Sequence, residues 1–445
     1  MTPAGATVAW MAAAWSGAAA GPLLAQTMPA GPALEYPEAL EATRFAPTST
    51  VNLQINGVLG GLQYGGSAVD NASNTAAGAP LLNGVSLNHE VRLTIDTSFT
   101  GQDLFRIRLR SGDFAPSGFF SNPPTPLTRL DVAFQEPACS AGGACPGRLV
   151  SINRAYLQLP LSPEIRVSFG PRIMQLDMLP VWPSVYTPSP ILDLFQYAGS
   201  PGTYGKRLGG GFGVWWQPRG GLQGLSLGYA YVAGRAGGSE QGGGLFSGSS
   251  SQTSTLQLAL SRTQWNITGA YSLSGPQVRL RGTPLASQLA AGASDGNLGS
   301  WSLAGYWQPR TSGWLPSISA GWGQDAFRFG TPAVRSRSWY SGLVWSDVLG
   351  VGNSLGLAVG SPAHVIAIQT PNEGGLDDRG LAFELFYRIQ LSDELSVTPA
   401  LFWLTRPRGA LSGSSEVSQT LPFPAASEAA SLGVWAGLIR TTLRF

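Results

Sequence analysis

Alternation of apolar and polar residues at every second position constrains this chain more than any other feature. In the stretch DLFRIRLRSGDF (103–114), three apolar residues alternate with Arg106, Arg108 and Arg110. A β-strand points successive side chains to opposite faces, so this segment has one apolar face and one face with three guanidinium groups. The same period of two recurs from Thr48 onward, which predicts an all-β fold.

The composition narrows the kind of all-β protein. Only 12% of the 445 residues are charged, whereas 59 are glycine and 10% are aromatic. After Ala25, the apolar runs are all shorter than the roughly 20 residues of a membrane-spanning helix. Low charge, with apolar residues dispersed by alternation, is typical of a transmembrane β-barrel, and a soluble β-sandwich is the alternative.

The connections between the alternating segments are short and long in turn. Tight ones such as PLSPE (160–164) contrast with long Gly-, Ser- and Pro-rich ones at 233–252, 274–298 and 405–430. Outer-membrane barrels have short periplasmic turns and longer outer loops. We therefore predict an antiparallel barrel of about 16 strands over residues 50–445, with both termini in the periplasm.

One segment does not fit this order. Residues 129–135 (RLDVAFQ) alternate well, but a wall strand there would break the sequence of short and long connections. We place this segment, together with Cys139 and Cys145, inside a long second outer loop at 111–148. The two cysteines lie in a Gly- and Pro-rich stretch without a nearby histidine, which favours a disulfide in an oxidising compartment over a metal site.

The third long connection, residues 171–207, is aromatic and rich in proline. An apolar loop of this length needs a surface to pack on. In a barrel of this size we expect it to fold inward and narrow the lumen, and the alternative is a loop that packs outside against another subunit. The residues expected at the constriction are Asp177, Trp182, Tyr186, Asp193 and Tyr197.

A barrel explains the arginine face of residues 103–114. The apolar face would meet lipid and the polar face a water-filled lumen, while closure would leave no unpaired strand edge in the lipid. Arginines two positions apart stand roughly 6–7 Å from each other, which forms a ladder along a pore wall. The residues expected to line the pore are Arg92, Asp96, Arg106, Arg108, Arg110, Arg166 and Arg172. The alternative is a salt-bridge cluster without a role in transport.

Both ends of the chain carry segments with a separate interpretation. Residues 1–25 are small and apolar, which favours a secretory signal peptide cleaved after Ala25; because Lys and Arg are absent before Arg44, an amphipathic helix is the alternative. Residues 26–49 would then form a short periplasmic segment. The last strand ends in an aromatic residue, as in many bacterial outer-membrane proteins. The expected signal to the barrel-assembly machinery comprises Ile439, Leu443 and Phe445.

Aromatic residues gather near the ends of the alternating segments, as at Trp339, Trp345 and Trp403. Amphipathic rings in such positions are typical of the girdles at membrane interfaces. A track of rings that stack on sugars inside the pore is the alternative.

Other classes of function are not expected. The net charge of +2 and the single lysine, Lys206, give no basic surface for nucleic acid. His89 and His364 belong to no recognisable nucleophile motif, and the sequence has no phosphate loop or dinucleotide fingerprint. We therefore expect neither an enzyme nor a bound cofactor or metal.

Three blocks of sequence resemble a known family. They are LEATRFAPTSTVNLQINGV (40–58), DTSFTGQDLFRIRLRSGDF (96–114) and the stretch from INRAYLQLPL to IRVSFGPRIMQLDMLPVWPSVY (152–186), with support from 211–246 and the C-terminal RTTLRF. These blocks are similar to cyanobacterial outer-membrane porins related to the carbohydrate-selective (OprB-like) porins. Members usually carry an S-layer homology domain and a coiled coil before the barrel. Little sequence separates Ala25 from the first block, so either anchoring to peptidoglycan is doubtful or the chain is truncated at its start.

The resemblance implies a homotrimeric pore in the outer membrane for inorganic ions and small hydrophilic solutes. Together with the arginine ladder, it predicts passive diffusion through a water-filled, arginine-lined lumen with a modest preference for anions. A carbohydrate-selective porin and a structural outer-membrane barrel without an open pore are the alternatives.

Overall fold

The computed structural model describes residues 47–76, 78–135, 149–239, 244–248, 250–276, 278–293, 297–369, 377–411 and 431–445. Within these residues, sixteen antiparallel strands form one closed barrel. Each wall strand pairs with the wall strands before and after it in the chain, and the last pairs with the first. The predicted antiparallel transmembrane barrel of about 16 strands is confirmed.

The wall strands contain between 9 and 18 residues, enough to cross a membrane at a tilt. The first, β1 (Thr48–Gly65), is followed by a separate small sheet of β2 (Val69–Asp70), β3 (Thr75–Ala76) and β4 (Ala79–Pro80). The other wall strands are β5 (Ser86–Ser98), β6 (Leu104–Gly112), β7 (Ser151–Pro160), β8 (Ile165–Met174), β9 (Leu208–Trp216), β10 (Leu225–Ala233), β11 (Gln252–Ser261), β12 (Trp265–Ser274), β13 (Leu298–Trp307), β14 (Ser317–Arg328), β15 (Ala333–Ser346), β16 (Ser354–Ile368), β17 (Ala382–Gln390), β18 (Leu395–Leu404) and β19 (Gly433–Arg444).

The alternation in the sequence becomes an alternation between the two faces of the wall. In β11, Thr255 and Gln257 are completely buried inside the barrel, whereas Leu256 and Leu258 on the other face are 51% and 54% exposed. Similarly exposed apolar side chains recur around the outer surface. An outward apolar band of this kind is the surface that a barrel presents to lipid.

The two ends of the barrel differ in the length of their connections. At the end that carries Thr48 and Arg444, short turns such as 99–103 join the strands. At the other end the connections are longer, as at 113–150, with the exception of the four residues 329–332 between β14 and β15. By the general pattern of outer-membrane barrels, the short turns face the periplasm and the long connections face outward.

Residues 129–135 are not part of the wall. They make single β-bridges, from Leu130 to Leu192 and from Gln135 to Asp113. Leu130 and its neighbours Val132 and Ala133 are buried, although no wall strand pairs with them among the described residues. The structure therefore agrees with the assignment of this segment to the second long connection.

The main apolar core lies inside the barrel. The second and third long connections turn inward and pack on each other and on the wall. The third is the inward loop that the sequence predicts. Members from the second connection include Phe114, Phe119 and Leu130, and members from the third include Met178, Leu192 and Phe195. The wall contributes small residues such as Ala230 and aromatic ones such as Phe402. The lumen is thus partly filled by the chain itself.

A smaller cluster closes one side of the outer end. It centres on the helix Pro284–Ala291, which begins after Thr283, whose hydroxyl accepts a hydrogen bond from the Ala286 amide at 3.2 Å. Such a side-chain cap satisfies one of the unpaired amides of a helix start. Among the described residues, no helix is both long and apolar enough to cross a membrane.

Candidate pore wall and constriction

The register of β5 and β6 brings the predicted arginines into one patch. Arg92 lies opposite Arg110, Thr94 opposite Arg108, and Asp96 opposite Arg106. Because residues of one parity share a face, all six side chains project from the same side of the wall. This side is the lumen face, and we call the inner surface of β5–β7 the arginine wall.

Two carboxylates of β5 pair with three of the four arginines of β5 and β6. Asp96 accepts hydrogen bonds from both Nε and Nη2 of Arg106, each at 2.6 Å. Glu90 is completely buried beneath the wall and pairs with Nε of Arg110 at 2.7 Å and with Nη2 of Arg92 at 3.1 Å. Bidentate and shared pairs of this kind hold guanidinium groups in fixed positions.

Arg108 differs from its neighbours. Its Nε donates to the Thr94 hydroxyl at 3.0 Å, and among the described residues it has no carboxylate within ion-pair distance. The positive charges of Arg92, Arg106 and Arg154 act on it directly. Within the described residues, Arg108 is therefore an arginine of this wall whose charge is not paired with a carboxylate.

Arg154 of β7 extends the arginine wall and was not expected from the sequence. It lies opposite Arg108 in the register and pairs with Asp177 of the third long connection. Its signal was available, since Arg154 shares its parity with Tyr156 in a strand whose lumen face is polar. With it, five arginines face three carboxylates, which leaves two net positive charges.

The two predicted pore residues of β8 take different positions. Arg166 lies opposite Trp215, a buried residue of the lumen face, near the end with the short turns. Arg172 follows a shift of register between Gly170 and Ile173, which sets it opposite Ala155. Ala155 belongs to the outward parity of β7, so Arg172 does not continue the row of Arg166.

The third long connection is fixed to the opposite part of the wall, β11–β17. Gln175 donates to the Thr255 hydroxyl at 2.5 Å, and the amide of Val185 donates to Ser319 at 2.9 Å. Further wall contacts come from Ser338, whose hydroxyl donates to the carbonyl of Gly199 at 2.8 Å. We call this inner surface of β11–β17, with its serine, threonine and glutamine side chains, the hydroxyl wall.

The strongest anchor of the loop is Glu384 of β17. This buried carboxylate accepts hydrogen bonds from the Tyr186 hydroxyl at 2.7 Å and from the amides of Leu192 and Ile191 at 2.7 and 3.3 Å. Three donors from one loop segment converge on a single side chain, which fixes the loop against the wall. Sequence reasoning had placed Tyr186 at the constriction but had not found Glu384.

The other predicted loop residues lie in two further clusters. Trp182 packs edge-on against the ring of Tyr204, with centroids 5.2 Å apart. Asp193 accepts a hydrogen bond from the Tyr197 hydroxyl at 2.6 Å and pairs with Lys206 at 3.2 Å. Both predicted loop acids are therefore paired with cations: Asp177 with Arg154 of the arginine wall, and Asp193 with Lys206.

Electrostatics keep Asp193 ionised despite its location. Burial opposes its ionisation, but Lys206, Arg281 and Arg129 outweigh burial and hold the pKa of this carboxyl well below its usual range. The lumen side of the loop is thus held in place by ionic as well as apolar contacts.

Exposure separates the two walls. The side chains of Arg92, Arg106 and Arg110 remain 23%, 16% and 15% exposed. On the hydroxyl wall, Thr255 and Ser319 are completely buried under the loop. The arginine wall is therefore the more solvent-accessible of the two inner surfaces.

Comparison with known proteins identifies the family. The family model of the carbohydrate-selective porins, OprB family, matches residues 45–445. The chain belongs to the OprB family. Its location is the bacterial outer membrane, as the sequence predicts.

Relatives and solved structures are similar to this chain over most of its length. An uncharacterized protein of Synechocystis sp. (strain PCC 6803) is 29% identical over 350 residues, which cover 71% of this chain and 59% of that protein. OprB of Pseudomonas putida at high pH has a TM-score of 0.55 at 12% identity, with 89% of this chain and 94% of that chain covered.

Two further solved structures share the fold. An anion-selective porin from Comamonas acidovorans has a TM-score of 0.51 at 12% identity, with 90% of this chain and 100% of that chain covered. The trimer form of OmpT from Vibrio cholerae has a TM-score of 0.50 at 10% identity, with the same coverage of 90% and 100%.

The C-terminal strand closes this OprB-family barrel. Phe445 and Leu53 exchange two backbone hydrogen bonds, at 2.9 and 3.0 Å, which extend the seam between β19 and β1. Ile439 is exposed on the outer face, opposite Leu59. Leu443 lies four positions further along β19, opposite Ile55, and so shares that face. The predicted signal thus forms an outward apolar stripe that ends at the seam.

Two predictions from the sequence fall outside the described residues: the signal peptide with its following segment up to residue 46, and the disulfide between Cys139 and Cys145.

Among the aromatic residues, Trp403 stacks between Phe383 and Trp435 on the outer face, with centroids 5.2 and 4.8 Å away. That position is consistent with a membrane girdle.

Proposed function

We propose that this OprB-family barrel is a passive diffusion porin for inorganic ions and small hydrophilic solutes. The observation that carries the proposal is the contrast in exposure between the walls: water reaches Arg92, Arg106 and Arg110, whereas the hydroxyl wall is covered by the loop. A path lined by fixed guanidinium groups on one side and by a loop on the other limits solutes by size and biases them by charge.

The charge balance supports a modest preference for anions. Two positive charges are uncompensated on the arginine wall, and one of them is at Arg108, which has three arginines near it and no described carboxylate within ion-pair distance. Charges inside a channel act at short range and are screened less than surface charges. An anion-selective porin of the same fold, from Comamonas acidovorans, is consistent with this reading.

The test is planar-bilayer conductance of the purified protein, with the reversal potential measured under a KCl gradient. Stable channels with a reversal potential on the anion side are expected. Stable channels with cation preference would keep the pore but overturn the role of the arginine wall.

A structural barrel without an open pore is the second candidate. The specific observation in its favour is the apolar cluster across the lumen, in which Phe119, Phe195 and Phe402 take part. The absence of conductance from protein that is folded, as shown by heat-modifiable gel mobility, would favour this candidate.

Carbohydrate selectivity, suggested by the family description, predicts that sugars block the ion current in a concentration-dependent way.

The proposed function also includes two protein partners, further copies of this chain and the barrel-assembly machinery. We expect a homotrimer, delivered to the membrane by the barrel-assembly machinery, because the fold is shared with a porin solved in a trimer form. Native mass spectrometry of the detergent-extracted protein distinguishes a trimer from a monomer.

A further inference from the structure

Two arginines of β15 lie on the outside of the barrel, apart from the arginine wall. Arg335 and Arg337 of β15 are both exposed. The alternating residues Ser336 and Ser338 hydrogen-bond to groups inside the barrel, at 2.6 and 2.8 Å. Because neighbours in a strand point to opposite faces, the two arginines belong to the lipid-facing surface.

Their depth in the membrane follows from the strand itself. Trp345 lies on the same face of β15, ten residues after Arg335 and near the end with the short turns. At about 3.3 Å per residue and a tilt of about 40°, Arg335 stands roughly 25 Å above Trp345. The apolar band of an outer-membrane barrel is also about 25 Å tall. Arg335 is thus at the level of the outer headgroups, and Arg337 reaches that level by extending its side chain.

The surroundings leave both guanidinium groups accessible. Arg335 lies between Ala326 and Ala367, two small and exposed residues of the adjacent strands. The connection above them is the four-residue turn 329–332, the shortest at this end of the barrel. Unlike the lumen arginines paired to Glu90 and Asp96, neither has a carboxylate within ion-pair distance in the part of the chain that the structure describes.

We propose that Arg335 and Arg337 bind the anionic headgroup of a lipid in the outer leaflet, with its phosphate as the recognised group. Two guanidinium forks side by side match the geometry and charge of a phosphate. Their depth selects a lipid over a dissolved partner, because the pair lies directly above an apolar band. Trp301, 60% exposed and opposite Gln324 beside Arg337, supplies an indole ring for the lipid just below its headgroup. This site is independent of whether the lumen conducts.

The test uses the protein in nanodiscs that contain equal amounts of phosphatidylglycerol and phosphatidylcholine. Native mass spectrometry counts the lipids that remain bound after release. We expect the unmodified protein to retain phosphatidylglycerol in preference to phosphatidylcholine, and the double variant Arg335→Gln/Arg337→Gln to lose this preference on the order of tenfold.

The matched control is Arg262→Gln/Arg310→Gln, which removes two exposed arginines from turns at the other end of the barrel. It should keep the preference, and both variants should keep the heat-modifiable mobility of a folded barrel. Equal loss in both variants would overturn the proposal, since net charge alone would then explain retention. Displacement of the lipid by inorganic phosphate at equal concentration would also overturn it, in favour of a site for the free ion.

Discussion

The arginine wall and the hydroxyl wall are built from the same kind of strand but meet different partners. On the arginine wall, guanidinium groups pair with carboxylates of the wall itself, so the side chains are fixed while water still reaches them. On the hydroxyl wall, serine and threonine side chains form hydrogen bonds with the third long connection and are buried by it. The difference shows that the charged groups stay on the more exposed inner surface, whereas the neutral polar groups hold the third long connection in place.

The largest expected effect comes from releasing the loop. Glu384→Ala removes the acceptor for Tyr186, Leu192 and Ile191 and leaves these donors unpaired. We expect a loss of at least about 3 kcal/mol in the free energy of unfolding, because each of the three unpaired buried donors costs about 1–3 kcal/mol. Single-channel conductance should increase as the loop leaves the hydroxyl wall. Glu384→Gln keeps one acceptor oxygen, so its stability and conductance should lie between those of the unmodified protein and those of Glu384→Ala. Unchanged conductance in Glu384→Ala would show that the loop does not set the size limit.

A second test changes the arginine wall without touching the loop anchors. Replacing Arg106, Arg108 and Arg110 with serine turns the net charge of the wall from positive to negative, so the reversal potential should move toward cations. Arg108→Gln should give a smaller shift in the same direction, because it removes one unpaired charge and orphans no carboxylate. Asp96→Asn should shift it toward anions. Identical reversal potentials in all four proteins would contradict a selective role for this wall.

Two carboxyl groups in the connections, Asp103 and Asp378, should change the stability of the barrel in opposite directions as the pH falls. In the turn between β5 and β6, burial opposes ionisation of Asp103, but hydrogen bonds from Thr100, Phe99 and Ser98 outweigh it and lower its pKa from 3.8 to about 2. In the connection between β16 and β17, burial raises the pKa of Asp378 from 3.8 to about 6.

The sign of each effect follows from proton uptake. The folded protein binds more protons at Asp378 than the unfolded chain does between pH 6 and 3.8, so this group raises the free energy of unfolding as the pH falls through that range. Asp103 acts the other way, because its contribution is complete above pH 3.8 and is lost as the pH falls toward 2.

The measurement is the temperature at which half of the protein loses its folded gel mobility, recorded from pH 7 to pH 2. Asp378→Asn should flatten the rise between pH 7 and 4, and Asp103→Asn should flatten the fall below pH 4. Each variant serves as the control for the other, and a variant with the unmodified slope would refute the assignment of that group.

The smallest effect is expected from removing a single hydroxyl group of the hydroxyl wall. Thr255→Val removes an acceptor for Gln175 and a hydrogen bond to Ser272. We expect a loss of about 1 kcal/mol in the free energy of unfolding, with an unchanged reversal potential. A shift in the reversal potential here would mean that the accessible path does not keep to the arginine wall.

The period of two was sufficient to predict the barrel, its strand number and the common face of Arg106, Arg108 and Arg110. It also contained signals that were not used, since Glu90 and Arg154 share the lumen parity of their strands. Two features lay beyond it. The register shift in β8 moves Arg172 out of the row of Arg166, and a shift leaves no mark in the alternation. The pairing of Tyr186 with Glu384 joins residues nearly two hundred positions apart, which the periodicity of a single strand does not report.

The seam between β1 and β19 has a consequence for the order of folding. Twelve residue pairs, from Gln54 with Arg444 to Gly65 with Gly433, join the two ends of the wall, so the barrel closes only after β19 has been synthesised and exported. Until then, the free edge of β1 would expose backbone groups that lipid cannot satisfy. Contacts of such long range are slow to form. Closure of the seam is therefore the expected rate-limiting step of folding, and weakening it at Phe445 should slow membrane insertion more than it lowers the stability of the finished barrel.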